Sequence, residues 1–152
     1  MKKSIFVLLM LAFNFTIAQT TKSGDWTLKQ DEYTNSKTIE VPVFKDNYQT
    51  ARVIIKGVGE TFVWNVYEKN EKYLYLSTER VRSTSGVTFY VKINGVNKEF
   101  WISYGNPCFL SAELINAFKT GTEVAFKFNG DPNYYKFSLK GINNALSWVV
   151  VK

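Results

Sequence analysis

The chain has 152 residues, a net charge of +6, no histidine and one cysteine, Cys108. Without histidine there is no imidazole base, no Ser–His or Cys–His nucleophile pair and no histidine metal ligand. A single thiol rules out an internal disulfide and leaves zinc without a ligand set. The basic residues are scattered, with no run of five, which argues against nucleic-acid binding.

Lys2 and Lys3 precede a short apolar run from Ile5 to Phe13, and Thr16-Ile17-Ala18 is a small-residue cleavage site. That is the anatomy of a secretory signal peptide over residues 1–18, with the mature chain expected to start at Gln19. The apolar run falls short of the roughly 20 residues a membrane span requires, and Asn14 and Thr16 interrupt it. An exported protein is therefore expected, placed in the periplasm, at the cell surface or outside the cell. Cys108 lies far from the leader, so a lipid anchor at the new N-terminus is not available. Taking 18 residues from 152 leaves 134, the size of one domain over residues 19–152. Losing two lysines lowers the charge to +4. Stability must come from packing of the abundant Phe, Tyr and Trp side chains.

From Trp26 onward the chain alternates apolar and polar residues, the period of strands. Thr38 to Phe44 places Ile39, Val41 and Val43 on one face, and Pro42 within it predicts an edge strand or a bulge, because proline donates nothing to a ladder. Ala51 to Lys56 and Thr61 to Tyr67 follow, the second with Phe62, Trp64 and Val66 on one face. Lys72 to Ser77 alternates Leu74 and Leu76 against Tyr73 and Tyr75. Asn94-Gly95 suits a type I′ turn, since both residues tolerate positive φ. With these as the two loop residues, Ile93 faces Val96, Phe89 faces Phe100 and Val87 faces Ile102. The opposite face then sets Thr88 against Trp101 and Tyr90 against Glu99.

Ser111 to Phe118 is the one clear helix, with Ser111 as N-cap, Leu114, Ile115 and Phe118 at helical spacing and Gly121 as the stop. Thr122 to Asn129 is expected to point Val124, Phe126 and Phe128 inward, and Asn133 to Lys140 to do so with Tyr135, Phe137 and Leu139. Residues 129–133 form the loop between them. A turn or short helix through Leu146 leads to a last strand, Trp148 to Val151. Many short strands at close spacing predict an all-β antiparallel sandwich, or a barrel-like sheet, with one short helix.

Chemistry-bearing residues are sparse. Glu60, Glu68, Glu99 and Asp131 could supply a carboxylate pair for glycoside hydrolysis, but all lie at strand ends or in turns. Asn129-Gly130-Asp131-Pro132-Asn133 offers about three oxygen ligands, too few for calcium, and has the composition of a tight turn. Cys108 reads as a small buried hydrophobe more readily than as a thiolate at a helix start. The residues singled out as a ligand-binding platform are Tyr90 and Trp101. In the hairpin register they are diagonal neighbours, close enough for large rings to touch. No metal site, cofactor or catalytic residue is expected.

Three stretches carry a resemblance. Cys108-Phe109-Leu110-Ser111-Ala112 leads into a short helix, Leu114 to Lys119, then Thr120-Gly121 and a strand, Val124 to Phe128. Tyr135-Lys136-Phe137-Ser138-Leu139-Lys140-Gly141 runs into Asn144-Ala145-Leu146, and Gly24-Asp25-Trp26 opens the domain. This order is similar to that of the invasion-associated locus B family of exported bacterial proteins, and a related exported family tied to type VI secretion has a similar opening and ending. The resemblance implies a compact β-sandwich in the periplasm or at the cell surface, with no enzymatic activity and no cofactor. Members of the family often carry several cysteines, and this chain has one, so no disulfide role transfers.

The expected function is that of a non-enzymatic exported domain that binds a protein or glycan partner at the envelope. The alternative is a structural accessory of an envelope or secretion complex, contacting its partner through an edge strand near Pro42 or the final strand. A carboxylate-pair hydrolase is the remaining reading.

Overall fold

The computed structural model describes residues 20–58, 60–68, 86–103 and 108–150. The leader at residues 1–18 and the strand read over residues 72–77 lie outside the described residues. Ten strands and two helices follow in chain order: β1 (Thr21–Ser23), β2 (Trp26–Gln30), β3 (Lys37–Lys45), β4 (Tyr48–Val58), β5 (Thr61–Glu68), β6 (Gly86–Ile93), β7 (Val96–Ser103), β8 (Phe109–Leu110), α1 (Ala112–Thr120), β9 (Glu123–Phe128), β10 (Tyr135–Ser138) and α2 (Ile142–Val149). Every strand pairing is antiparallel, and the strands form one sheet in the order β7-β6-β9-β10-β3-β4-β5-β8, with β2 beside β3 and β1 beside β2.

The sheet curls until its two arms meet. Trp64 on β5 lies near one end of the strand order, yet its ring sits 4.9 Å from Phe89 on β6 and 5.5 Å from Phe126 on β9. A nearly closed, barrel-like sheet results, the all-β architecture expected from the spacing of the strands. Its interior is aromatic. Phe100, Phe89, Phe126 and Tyr135 occupy one register row across four strands, and all four are buried. Trp64 meets Phe89 and Phe126 edge to face, and Phe126 stacks on Tyr135; aromatic pairs of these kinds add roughly 0.5–1.5 kcal/mol each to the gain from burial alone.

Two type I′-like turns set registers. Asn94 and Gly95 have φ of 50° and 82°, and the strands they join pair Ile93 with Val96, Phe89 with Phe100 and Val87 with Ile102, the expected register. Asp46 and Asn47, with φ of 49° and 67°, do the same between β3 and β4, flanked by the pair Lys45 and Tyr48. Asx residues accept positive φ more readily than other side-bearing residues, so this second hairpin has the same cause.

Pro42 is not on an edge strand. One side of β3 pairs with β4 from Thr38 to Lys45, and the other side is shared between β2, up to Glu40, and β10, at Phe44. Pro42 lies in the interval where neither neighbour pairs, so its missing N–H breaks no ladder on that side. The bulge half of the expectation is met, between Val43 and Phe44.

Helix α1 begins where expected. Ser111 Oγ accepts from the Leu114 N–H at 3.2 Å, and the Gly121 N–H donates to Ala117 O at 2.8 Å. Gly121 is extended rather than left-handed (φ −85°). Glycine is required there because a methyl group would run into Val91, Leu139 and the Ala117 carbonyl. Phe118 reaches into the interior, 6.0 Å from Phe89 and 5.8 Å from Phe137. The second helix corrects two expectations: there are two helices among the described residues, not one, and Trp148 and Val149 end α2 rather than start a strand. Ile142, Ala145, Leu146 and Val149 are all buried, an i, i+3, i+4, i+7 stripe that packs α2 over β2, β3 and β4. A final strand is therefore not available as an assembly edge over those residues, nor is one at Pro42.

Candidate functional site

Alternation along β6, β7, β9 and β10 sends every second residue outward, and the register aligns these into rows across the sheet. One row runs Trp101, Thr88, Lys127. The next runs Glu99, Tyr90, Ala125, Lys136 and Phe44, crossing from β7 to β3. A third runs Asn97, Lys92, Glu123, Ser138. Tyr90 and Trp101, the two residues singled out from the sequence, are thus on the outer face, opposite Glu99 and Thr88 as expected.

Their rings have different neighbours. Tyr90 is half-buried and packs against Tyr134, centroids 5.9 Å apart. Trp101 is 59% exposed, and its indole lies across the bare backbone of Gly86, in space that any side chain there would claim. The diagonal contact between the two rings is replaced by these two packings.

Tyr134 reaches Tyr90 because of the loop before β10. The Asp131 N–H donates to Phe128 O at 3.1 Å, and Asp131 Oδ1 accepts from the Asn133 N–H at 2.9 Å and from Asn133 Nδ2 at 2.7 Å. Asp131 Oδ2 accepts from the Tyr135 hydroxyl at 3.1 Å. The carboxylate is committed to building the turn, which turns Tyr135 inward and leaves Tyr134 outside. Among the described residues, no three His, Cys, Asp or Glu side chains gather as a metal site would require.

Lysines surround the tyrosine pair. Lys127 Nζ lies 5.2 Å from the centre of the Tyr134 ring. The Tyr134 side chain first, and then the Tyr90 phenol, hold the ammonium above the ordinary lysine range. Burial, and then the Glu99 carboxylate, push the Tyr90 phenol up. Two hollows flank the pair. One of about 260 Å³ is lined by Tyr90, Lys92, Asn97, Glu123, Ala125 and Lys136. The other, of about 440 Å³, lies between the β3–β4 turn and the loop before β10, lined by Phe44, Lys45, Asp46, Asn133, Tyr134 and Lys136.

Cys108 is buried, with only 1% exposure. Trp64 Nε1–H donates to its sulfur, and the Trp64 backbone N–H donates to its carbonyl at 3.1 Å. It packs as a small hydrophobe, and Ser111 caps the helix in its place. Among the other carboxylates considered for hydrolysis, Glu99 is on β7 and Glu60 is in the turn between β4 and β5.

No protein-family model matches the sequence, and no curated protein matches it. A solved structure does match. The crystal structure of invasion associated protein B from Bartonella henselae superposes with a TM-score of 0.60 at 13% identity, over 86% of this chain and 95% of that one. The two chains share a fold. The resemblance read at the two ends of the sequence is therefore met at the level of architecture. Among the described residues, no helix is long and apolar enough to cross a membrane.

Sequence reasoning did not find Tyr134, Lys127 and Lys136. Lys136 carried a signal, alternating with the inward Tyr135 and Phe137. Tyr134 carried none, because its neighbour is set by the pairing of β6 with β9, 35 residues apart at Tyr90 and Ala125.

Proposed function

We propose that this chain is an exported, non-enzymatic β domain that binds a glycan at the cell envelope through the outer face of β6, β7, β9 and β10. The observation that carries the reading is the Tyr90–Tyr134 pair, which lies between two hollows and beside the exposed Trp101. Flat rings match the C–H faces of sugars, and the surrounding amine, amide and hydroxyl groups suit sugar hydroxyls. The exposed large hydrophobics point the same way, since most are aromatic: Tyr33, Phe44, Tyr48, Trp101, Phe109 and Tyr134.

Export is supported by the leader pattern of residues 1–18. An envelope setting is supported by the fold shared with a protein described as invasion associated. A non-enzymatic role is supported by the absence of histidine from the sequence and by the engagement of Asp131 in its own turn.

Co-sedimentation with purified cell wall and insoluble polysaccharides tests the reading, with Trp101→Ala and Tyr134→Ala beside the parent. Binding by the parent that weakens in the variants supports it. Binding unchanged in both variants moves the site off this face. No sedimentation of the parent defeats the glycan reading and turns the search to protein partners by pull-down from envelope extracts.

A further inference from the structure

We infer that the outer face takes a linear glycan bearing carboxylates, laid across the strands so that it occupies both hollows and passes over Lys136. The inference rests on the glycan reading above and specifies its ligand.

The first ground is continuity. Lys136 lines both hollows, Tyr90 borders one and Tyr134 the other, and these two tyrosines are in contact. The hollows are therefore two parts of one track. Ala125 lies between Tyr90 and Lys136 in a single register row, and its small side chain makes the low point of the floor. From Glu99 on β7 to Phe44 on β3 that row crosses four gaps between strands, about 19 Å along the sheet. A track of this length fits a chain of several sugar rings, and a single ring would fill a fraction of it.

The second ground is the placing of charge. Lys136 and Lys127 stand at the middle of the track beside the tyrosines, and Lys45 and Lys92 line the two hollows. Two carboxylates share the hollows with these lysines, Glu123 beside Lys92 and Asp46 beside Lys45, and a third, Glu99, lies at one end of the row. Glu123 shares a row with Lys92 and Ser138, Asp46 is at the tip of the β3–β4 turn, and Glu99 is on β7, on the far side of Tyr90 from Lys136. An acidic sugar ring over Ala125 would set its carboxylate between Lys136 and Lys127, with the rings of Tyr90 and Tyr134 as its bed. Charge-assisted hydrogen bonds of that kind are the strong ones. The neighbouring rings of the chain then reach the hollows on either side, where Asn97 and Asn133 offer amides to hydroxyls.

Isothermal titration of the protein with a galacturonate disaccharide, a galacturonate hexasaccharide and a neutral cellohexaose tests this. The acidic hexasaccharide is expected to bind at least about tenfold more tightly than either of the others, and to weaken as salt rises. Lys136→Gln, at an exposed position and so expected to fold, should lose about tenfold for the acidic ligand and little for any neutral one. Tyr134→Ala should weaken both. Equal binding of the two hexasaccharides, with no effect of Lys136→Gln, overturns the acidic assignment and leaves the glycan platform standing. Acidic binding indifferent to both substitutions also overturns it, because the attraction is then general surface charge. Binding of neither hexasaccharide overturns this inference, and if insoluble polysaccharides also fail, the platform reading falls with it.

Discussion

Gly24 and Gly141 meet backbone to backbone. Gly24, with φ of 59°, turns the chain from β1 into β2, and Gly141, with φ of 88°, precedes α2. A methyl group on either would collide with the main chain of the other or of its neighbour. Two hydrogen bonds fasten the contact: the Asp25 N–H donates to Lys140 O at 3.0 Å, and Ser23 Oγ donates to Gly141 O at 2.8 Å. Two of the three stretches that carry the family resemblance, Gly24-Asp25-Trp26 and the close at Gly141, are thus one structural unit. Gly95 supplies the control, because its φ is also positive, 82°, but a methyl group there meets nothing within 4 Å. Gly95→Ala should cost the left-handed penalty alone, about 1–2 kcal/mol. Gly141→Ala should cost clearly more in urea denaturation, and equal costs would show that the backbone contact carries no energy.

Two buried indoles differ in one hydrogen bond. Trp64 Nε1–H donates to the Cys108 sulfur, whereas Trp26 Nε1 is buried with no hydrogen-bond partner among the described residues. Trp→Phe at the two sites removes similar volume. The change at residue 26 also removes an unmet donor, and the change at residue 64 deprives a sulfur of its donor. Trp26→Phe should therefore be the milder by about 1 kcal/mol in chemical denaturation. The reverse order would mean that volume governs both.

Asp31 organises the connection between β2 and β3. Its Oδ1 accepts from the Thr34 N–H at 2.7 Å, the Thr34 hydroxyl at 2.9 Å and the Tyr33 N–H at 3.0 Å. The Thr34 amide first, then its hydroxyl, hold the carboxyl below the ordinary aspartate range. A depressed folded-state pKa stabilises the fold above the unfolded value, about 3.9, and that contribution disappears as pH falls through the lower folded value. Carboxyl resonances should show Asp31 titrating below 3.9, and amide exchange at Tyr33 and Thr34 should accelerate across the same range. An ordinary midpoint would count against these bonds in solution.

Trp101 depends on a neighbour without a side chain. Gly86→Ala places a methyl group where the indole lies, and because the ring is 59% exposed it can swing outward. Stability should change by less than about 1 kcal/mol, while the Trp101 indole N–H resonance shifts and binding to polysaccharide weakens. A loss of several kcal/mol would mean the ring has nowhere to go.

The β6–β7 hairpin was legible because two independent signals agreed: a turn that needs positive φ at Asn94-Gly95, and alternation that a slip of one residue would invert. The inward faces of β3, β5, β9 and β10 were legible for the second reason. Helix α2 was legible only in part, as a turn or short helix through Leu146, and its last turn through Val149 was not, although Ile142, Ala145, Leu146 and Val149 carry the helical spacing. The β-branched run from Val149 favours a strand locally, and packing over β2, β3 and β4 overrides that preference. Tyr90 and Trp101 were placed on the correct face and opposite the correct cross-strand partners, but the groups their rings pack on were not foreseen. Trp101 sits over Gly86, a relation the hairpin register contains, since Gly86 pairs with Ser103 and Trp101 is two residues before it. The contact of Tyr90 with Tyr134 follows from strand order across the sheet, which local pattern does not encode.

The divided side of β3 sets an order of assembly. With its partner β4 it closes through a two-residue turn, Asp46-Asn47, so this hairpin needs only local contacts and can form early. Strand β2 on one stretch and β10 on another then dock onto the same exposed rim, the second returning from more than 90 residues along the chain at Lys136 and Phe44. Strand β2 is joined to β3 by a short connection, so the β2–β3–β4 meander is local, and β10 is the one distant part that must await it. Val53→Ala in β4, opposite Val41, should slow refolding by nearly the full loss of stability, whereas Phe137→Ala in β10 should act chiefly by hastening unfolding.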